Sequence, residues 1–183
     1  MIKLANILNE FEIPSGKWVD MKMSDIDVSG MKVIWSIYKI AYTSQGLDLS
    51  ANSASELQTK YKAIMLIDVD RDTQPDAFII YKPTSHGNKM ALLAADIKKQ
   101  DAKRAVVKKA IQLVNTNGWF IEASAKMEDI MKSANAPVVR DEAKILAILG
   151  NEKKPEFVGD GYYTRSLSMV DKRITKRIYG KPR

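Results

Sequence analysis

Apolar residues recur along this chain in two rhythms, one near the helical period and one in short continuous runs. Ile2, Leu4, Ile7 and Leu8 fall at roughly helical spacing in an opening segment that Pro14, Ser15 and Gly16 then break. Lys17–Met23 alternates loosely and predicts an extended strand. Ile34, Ile37, Tyr38 and Ala41 predict a helix over Met31–Tyr42, with Ser24, Asp25 and Asp27 as candidate caps. After a loop rich in turn formers, Ser53 and Glu56 stand at the spacing of a capping box, so a short helix is expected over Ala54–Tyr61.

The middle of the chain is patterned differently. AIMLIDVD (63–70), DAFIIYKP (76–83) and KMALLAAD (89–96) are apolar runs rich in β-formers, separated by RDTQP and TSHGN. Connections this short imply antiparallel neighbours, because a parallel pair needs a crossover of about a dozen residues. Runs this apolar also imply that helices cover both faces of the sheet. Over residues 98–116, Ala102, Val106, Ala110 and Val114 recur every fourth position, and Asn117 and Gly118 end the helix. WFIEAS (119–124) predicts a strand. A helix follows at Ala125–Ser133, capped by Ser124 with Glu128 and Asp129 in its first turns. Another spans Asp141–Leu149 and stops at Gly150, and the remainder forms terminal strands with a turn at Asp160–Gly161. The expected fold class is α/β (α+β), a mixed, mainly antiparallel sheet flanked by helices. One domain is expected at 17–183, behind an N-terminal helix or extension at 1–16.

Composition narrows the chemistry. There is no cysteine, which excludes disulfides and thiolate metal sites. No apolar run approaches the roughly 20 residues of a membrane helix, and the opening stretch lacks a secretory cleavage site. No membrane partner is therefore expected, and the expected location is cytoplasmic. The formal charge of +7 is unevenly placed: residues 97–116 carry six basic and one acidic side chains, and residues 165–183 carry seven and one. Such asymmetry points to an anionic partner, whether nucleic acid, a phosphorylated cofactor or an acidic protein. The alternative is a solvated helix face and a solubilising tail.

From residue 17 the order is strand, two helices, three meandering strands, a long helix, a strand, a helix and terminal strands. This order resembles the GNAT superfamily of N-acetyltransferases. The resemblance implies transfer of an acetyl group from acetyl-CoA to an amine acceptor. It places the pyrophosphate at the start of the long helix, here Ile97–Ala105, where free backbone N–H groups and the helix dipole favour phosphate. It also places the backbone of Leu92, Leu93, Ala94 and Ala95 beside the cofactor, with Lys98, Lys99, Lys103 and Arg104 as phosphate ligands. The superfamily loop follows an Arg/Gln-x-x-Gly-x-Gly/Ala pattern. Here Gln100 is followed by Asp101, Ala102, Lys103, Arg104 and Ala105, so neither glycine is present and Asp101 has the wrong sign for a phosphate.

The chain also resembles a loosely defined group of acetyltransferase-like proteins of tailed bacteriophages. WFIEAS, the APVV-RDEA stretch and the ending G-Y-Y-T-R…K-R-I-Y-G-K-P carry that likeness, over roughly residues 60–183. It implies a protein of the bacterial host cytoplasm or one associated with the virion, with virion proteins or nucleic acid as partners. Leu8-Asn9-Glu10 resembles the Leu/Ile-x-Glu sequence at which some such phages cut prohead proteins; a plain N-terminal helix is the alternative.

Acyl transfer to an amine requires a general base. Glu122 lies inside an otherwise apolar strand, where burial raises a carboxyl pKa, and is the candidate base; the alternative puts it on the solvent face. Tyr163, with Tyr162 beside it, is the candidate acid for the departing thiolate, or else a half-buried strand residue. His86, the single histidine, sits in a Ser-His-Gly-Asn turn and reads as solvated. Asp68, Asp70, Asp72 and Asp76 have a spacing that suits a hard cation, or equally the backbone needs of a turn, and no metal is expected. In a nucleic-acid reading, Arg165, Arg173, Lys176, Arg177 and Lys181 are the contacts, with Arg173, Thr175 and Arg177 on one face of a strand.

Overall fold

The computed structural model describes residues 16–72, 74–123, 125–150, 155–166 and 173–183. The opening helix, the Leu8-Asn9-Glu10 sequence and the Ser124 cap lie outside the described residues. Those described fall into two compact units, one drawn from Met1–Lys82 and Leu92–Lys108, the other from Pro83–Ala91 and Lys109–Arg183.

In the first unit, β1 (Val19–Lys22) leads through a 3-10 turn into α1 (Val28–Thr43). Asp27 caps α1, accepting the Gly30 N–H at 2.7 Å, and the helix buries Met31, Ile34, Tyr38 and Ala41. At α2 (Ala54–Lys60) the expected box forms only by half. Ser53 Oγ accepts the Glu56 N–H at 3.1 Å, while the Glu56 carboxylate goes to the Asn52 N–H at 2.8 Å. β2 (Ala63–Ile67) pairs antiparallel with β1 and with β3 (Ala77–Thr84), in a register that sets Ala63 opposite Tyr81 and Ile67 opposite Ala77. Five successive residues of β3, Ala77–Tyr81, are buried, so both faces of this strand are covered as its apolar run requires. β4 (Gly87–Ala95) continues the hairpin after the two residues Ser85 and His86, and α3 (Gln100–Val114) follows.

In the second unit, β5 (Trp119–Ala123) lies parallel to β4, pairing Asn88–Met90 with Trp119–Ile121. α4 (Ala125–Ser133) and α5 (Glu142–Leu149) come next, α5 capped by Asp141 and stopped at Gly150, which has φ +70°. β6 (Glu156–Gly159) and β7 (Tyr162–Ser166) flank the expected Asp160–Gly161 turn. β8 (Arg173–Gly180) then inserts between β5 and β7, antiparallel to both. The hydrogen-bonded order is β1-β2-β3-β4-β5-β8-β7-β6. The sheet is thus mixed and mainly antiparallel, with five α-helices among the described residues, as expected from sequence.

Strand register sorts the side chains of the second unit onto two faces. Lys89 opposes Phe120, Glu122 opposes Ile178, and Tyr163 opposes Lys176, so these share one face. Phe120, Tyr163 and Ile178 there form a core with Val139 and the α5 residues Ile145 and Leu149. Ile121, Ala123, Tyr162, Arg177 and Tyr179 take the opposite face, on the side of α4. No helix among the described residues is long and apolar enough to cross a membrane.

Candidate functional site

The end of β4 and the start of α3 are built from one unit. Pairing with β5 ends at Met90, yet β4 runs on to Ala95, burying Leu92, Ala94 and Ala95 and leaving Leu93 half-buried. Burial pushes the hydroxyl of Tyr42, near the end of α1, well above the ordinary phenol range, and Tyr38 reinforces it. After Ala95 the chain turns at Asp96. Its carboxylate accepts the Lys98 N–H at 2.9 Å and its carbonyl accepts the Lys99 N–H at 3.1 Å. A side-chain anion of the chain itself therefore takes one of the amide donors at the helix entrance. Lys98 is exposed and Lys103 half-buried; Arg104 is exposed and lies 3.6 Å from Asp101.

Lys99 corrects an expectation. Its ammonium lies 2.6 Å from Asp76, 2.7 Å from Asp70 and 3.4 Å from Asp72, so it serves the β2–β3 turn rather than a bound phosphate. Burial works against its charge, but bonds to Asp70 and Asp76 and the charge of Asp72 outweigh this and raise its pKa above the usual lysine range. The same contacts bear on the aspartate spacing. Asp68, Asp72 and Asp76 bring carboxylate oxygens within 4.8 Å of one another, and Lys99 already supplies a cation to two of them. Asp68 Oδ1 accepts the N–H groups of Asp70 and Arg71, and Asp76 Oδ2 accepts that of Val69. These are the backbone needs of a turn.

In the second unit the Glu122 side chain is 6% exposed and lies between two ammonium groups, Lys89 at 2.8 Å and Lys176 at 3.3 Å. It is the anion of an ion-pair triad, not the lone carboxylate in apolar surroundings that its strand suggests. Tyr163 shares its face but is wholly buried in the core cluster, 6.4 Å from the Phe157 ring. A group so enclosed does not reach a thiolate, and its place is that of a core aromatic.

Arg177 requires the second correction. The sequence places it on a basic ribbon facing phosphates, whereas it is 5% exposed and turned inward. Its guanidinium donates to the Tyr162 hydroxyl at 3.2 Å, to the Asp160 carbonyl at 2.6 Å and to the Asp160 carboxylate. Tyr162 in turn donates to Glu128, which Lys132 meets at 2.8 Å. Lys176 is likewise engaged, by Glu122, while Lys181 is exposed. Arg165 and Arg173 lie on β7 and β8, paired one position apart in register: Arg165 with Ile174 and Ser166 with Arg173. His86 sits half-buried in the β3–β4 turn, its N–H on Thr84 Oγ1 at 3.2 Å and its carbonyl accepting the Arg183 N–H at 2.9 Å.

Sequence reasoning passed over Tyr42 and the Glu128–Tyr162–Arg177 network. Tyr42 had a signal, since it stands four residues after Tyr38 on the apolar side of α1. The network had none, because an inward arginine on an alternating basic strand looks the same as an outward one.

No protein-family model matches the sequence, and no curated protein matches it. Solved structures do match. A probable acetyltransferase from Staphylococcus epidermidis superimposes with a TM-score of 0.53 at 10% identity, over 89% of this chain and 97% of that one. An acyl-CoA N-acyltransferase from Pseudomonas aeruginosa gives 0.53 at 10% identity, over 90% and 98%. ElaA from Escherichia coli gives 0.51 at 9% identity, over 88% and 98%. Likeness at such identities establishes the architecture: the mixed sheet, with eight strands and five helices among the described residues, is the GNAT fold.

Proposed function

We propose that this chain binds an acyl-CoA thioester along β4 and the entrance of α3 and transfers its acyl group to an amine. The observation that carries the reading is the early end of the β4–β5 pairing at Met90. Past it, Leu92–Ala95 keep a strand conformation with a backbone edge suited to an extended amide-bearing ligand such as the pantetheine arm. The acetyltransferase and acyl-CoA N-acyltransferase among the similar structures support the same class of ligand. Lys98, Lys103 and Arg104 are the side chains assigned to its phosphates. In the reaction the amine nitrogen bonds to the thioester carbonyl carbon, the C–S bond breaks, and the amine proton ends on the CoA sulfur. A strand N–H aimed at the carbonyl oxygen stabilises the charge that develops there.

A second reading, a non-catalytic protein that kept the fold, is favoured by the Asp96 cap on the Lys98 N–H and the commitment of Lys99 to aspartates. Both features use internally what a phosphate would otherwise engage. Calorimetric titration with acetyl-CoA and CoA at low and moderate salt separates the two. Saturable binding that survives added salt, and is lost in the double variant Lys103→Glu, Arg104→Glu, is the result expected of a formed pocket. Binding that vanishes with salt reflects charge attraction alone and overturns the enzyme reading.

A further inference from the structure

Glu122 is shared by two lysines that come from the strands on either side of it. β4, β5 and β8 are neighbours in that order, and their registers put Lys89, Glu122 and Lys176 on one face of the second unit. Lys89 Nζ lies 2.8 Å from Glu122 Oε2 and Lys176 Nζ lies 3.3 Å from Glu122 Oε1, so each ammonium takes a different oxygen of the carboxylate. The two lysine side chains are 27% and 22% exposed, mostly covered yet still reached by solvent. Their cross-strand neighbours, Phe120 for Lys89 and Tyr163 for Lys176, are buried, as is Ile178 opposite Glu122.

One lysine is enough to neutralise Glu122. The second leaves two positive charges against one negative in mostly covered surroundings, where an uncompensated charge is unfavourable. An ammonium has three hydrogens to donate. Among the described residues neither ammonium meets an acceptor other than Glu122, so both keep donors to give. Glu122 also gauges the gap between them: a spacing that one carboxylate bridges with its two oxygens is one that a second carboxylate can bridge from the solvent side. We propose that Lys89 and Lys176, backed by Glu122, form a binding site for one carboxylate group of a small-molecule ligand. Its arrival completes a neutral set of two cations and two anions. A dianion would instead place net negative charge beside the buried Glu122, so the site favours a monoanion. The inference stands apart from the acyl-CoA reading, because it uses no side chain assigned to that ligand.

The test uses the whole protein and follows the amide signals of Lys89, Glu122 and Lys176 by NMR, with sodium acetate as the probe and sodium chloride at equal ionic strength as the control. Acetate should shift all three signals saturably, with a Kd on the order of millimolar, and chloride should not. Lys89→Met and Lys176→Met each leave one lysine on Glu122, so both should fold, and each should weaken acetate binding about tenfold. Glu122→Gln removes the repelling charge and should tighten binding by about the same factor. That opposite sign separates a ligand site from a purely structural triad, in which loosening any member disturbs all three alike. Inorganic phosphate at pH 8, a dianion, should bind no more tightly than acetate. Shifts that do not saturate or that chloride reproduces, unchanged affinity in either lysine variant, or equal or weaker binding by folded Glu122→Gln each overturn the site. Tighter binding of phosphate than of acetate overturns its assignment to a carboxylate.

Discussion

The guanidinium carbon of Arg177 lies 4.3 Å from the centre of the Tyr162 ring, whose hydroxyl accepts a hydrogen bond from the same arginine. The stacking brings a cation under cover, where ring, hydroxyl and the Asp160 carbonyl and carboxylate share its donors. A formally basic strand thus spends one of its charges inside the protein.

Replacing Arg177 by methionine should destabilise the fold by about 3 kcal/mol, because the buried Glu128–Tyr162 pair loses its neighbouring charge and Asp160 a partner. Arg177→Lys should recover only part of this, since an ammonium cannot reproduce the planar fork. Urea denaturation measures both. Nucleic-acid affinity of folded Arg177→Met at low salt should match the parent; a marked drop would mean that the side chain reaches the surface after all.

Glu128 gives this network an acid limit. Burial opposes its charge, but hydrogen bonds from Lys132 and Tyr162 and the Lys132 and Arg177 charges hold its pKa below the usual glutamate range. The unfolded chain therefore takes up this proton at higher pH than the folded one. The stabilisation is complete above the ordinary glutamate value and is lost as pH falls through the depressed folded value. Melting temperature followed from pH 6 to pH 3 should fall less steeply for Glu128→Gln than for the parent, and parallel curves would remove Glu128 from the account. At neutral pH the variant should be the less stable of the two.

Lys99 separates a structural lysine from a ligand-binding one. Lys99→Met leaves Asp76, 3% exposed, without its ammonium partner, and should cost about 2 kcal/mol in urea denaturation. Acetyl-CoA affinity of the folded variant should stay close to that of the parent, in contrast to the loss expected from Lys103→Glu with Arg104→Glu. A large loss with Lys99→Met would return this lysine to the phosphate site.

What the sequence made legible follows physical range. Periodicity and caps are local, and so α1 with Asp27, α4 at Ala125–Ser133, and α5 between Asp141 and Gly150 were all readable. Short connections made the β2–β3–β4 meander readable too. The apolar run at 63–70 outlasts its strand, which ends at Ile67, where Asp68 starts to serve turn N–H groups. The insertion of β8 between β5 and β7 sets residues more than fifty positions apart side by side, such as Glu122 and Ile178. No local pattern encodes that, and it decides which charges meet. Lys89 and Lys176 converge on Glu122 for this reason, and Lys99 finds aspartates 23 to 29 positions earlier in the chain. Residue type set what each side chain could do, but topology set which partner it does it with.

The insertion of β8 also places an exact demand on one glycine. Gly180 has φ +132°, and a Cβ added there would lie 2.3 Å from the Trp119 carbonyl oxygen and 2.6 Å from Phe120 Cα. Both are backbone atoms of β5, which cannot yield as a flexible side chain can, and the Gly180 N–H is already fixed on the Pro137 carbonyl at 2.8 Å. Gly180→Ala therefore combines an unfavourable backbone conformation with a clash, and should cost about 3 kcal/mol or more. Gly46 isolates the first effect, because its φ is +66° and nothing lies within 4 Å of an added Cβ. Gly46→Ala should cost only about 1 kcal/mol. Urea denaturation of the two variants side by side tests the close approach of β8 to β5. Equal losses would show that the backbones are farther apart than these distances require, whereas a much larger loss at Gly180 is the outcome that direct strand contact demands.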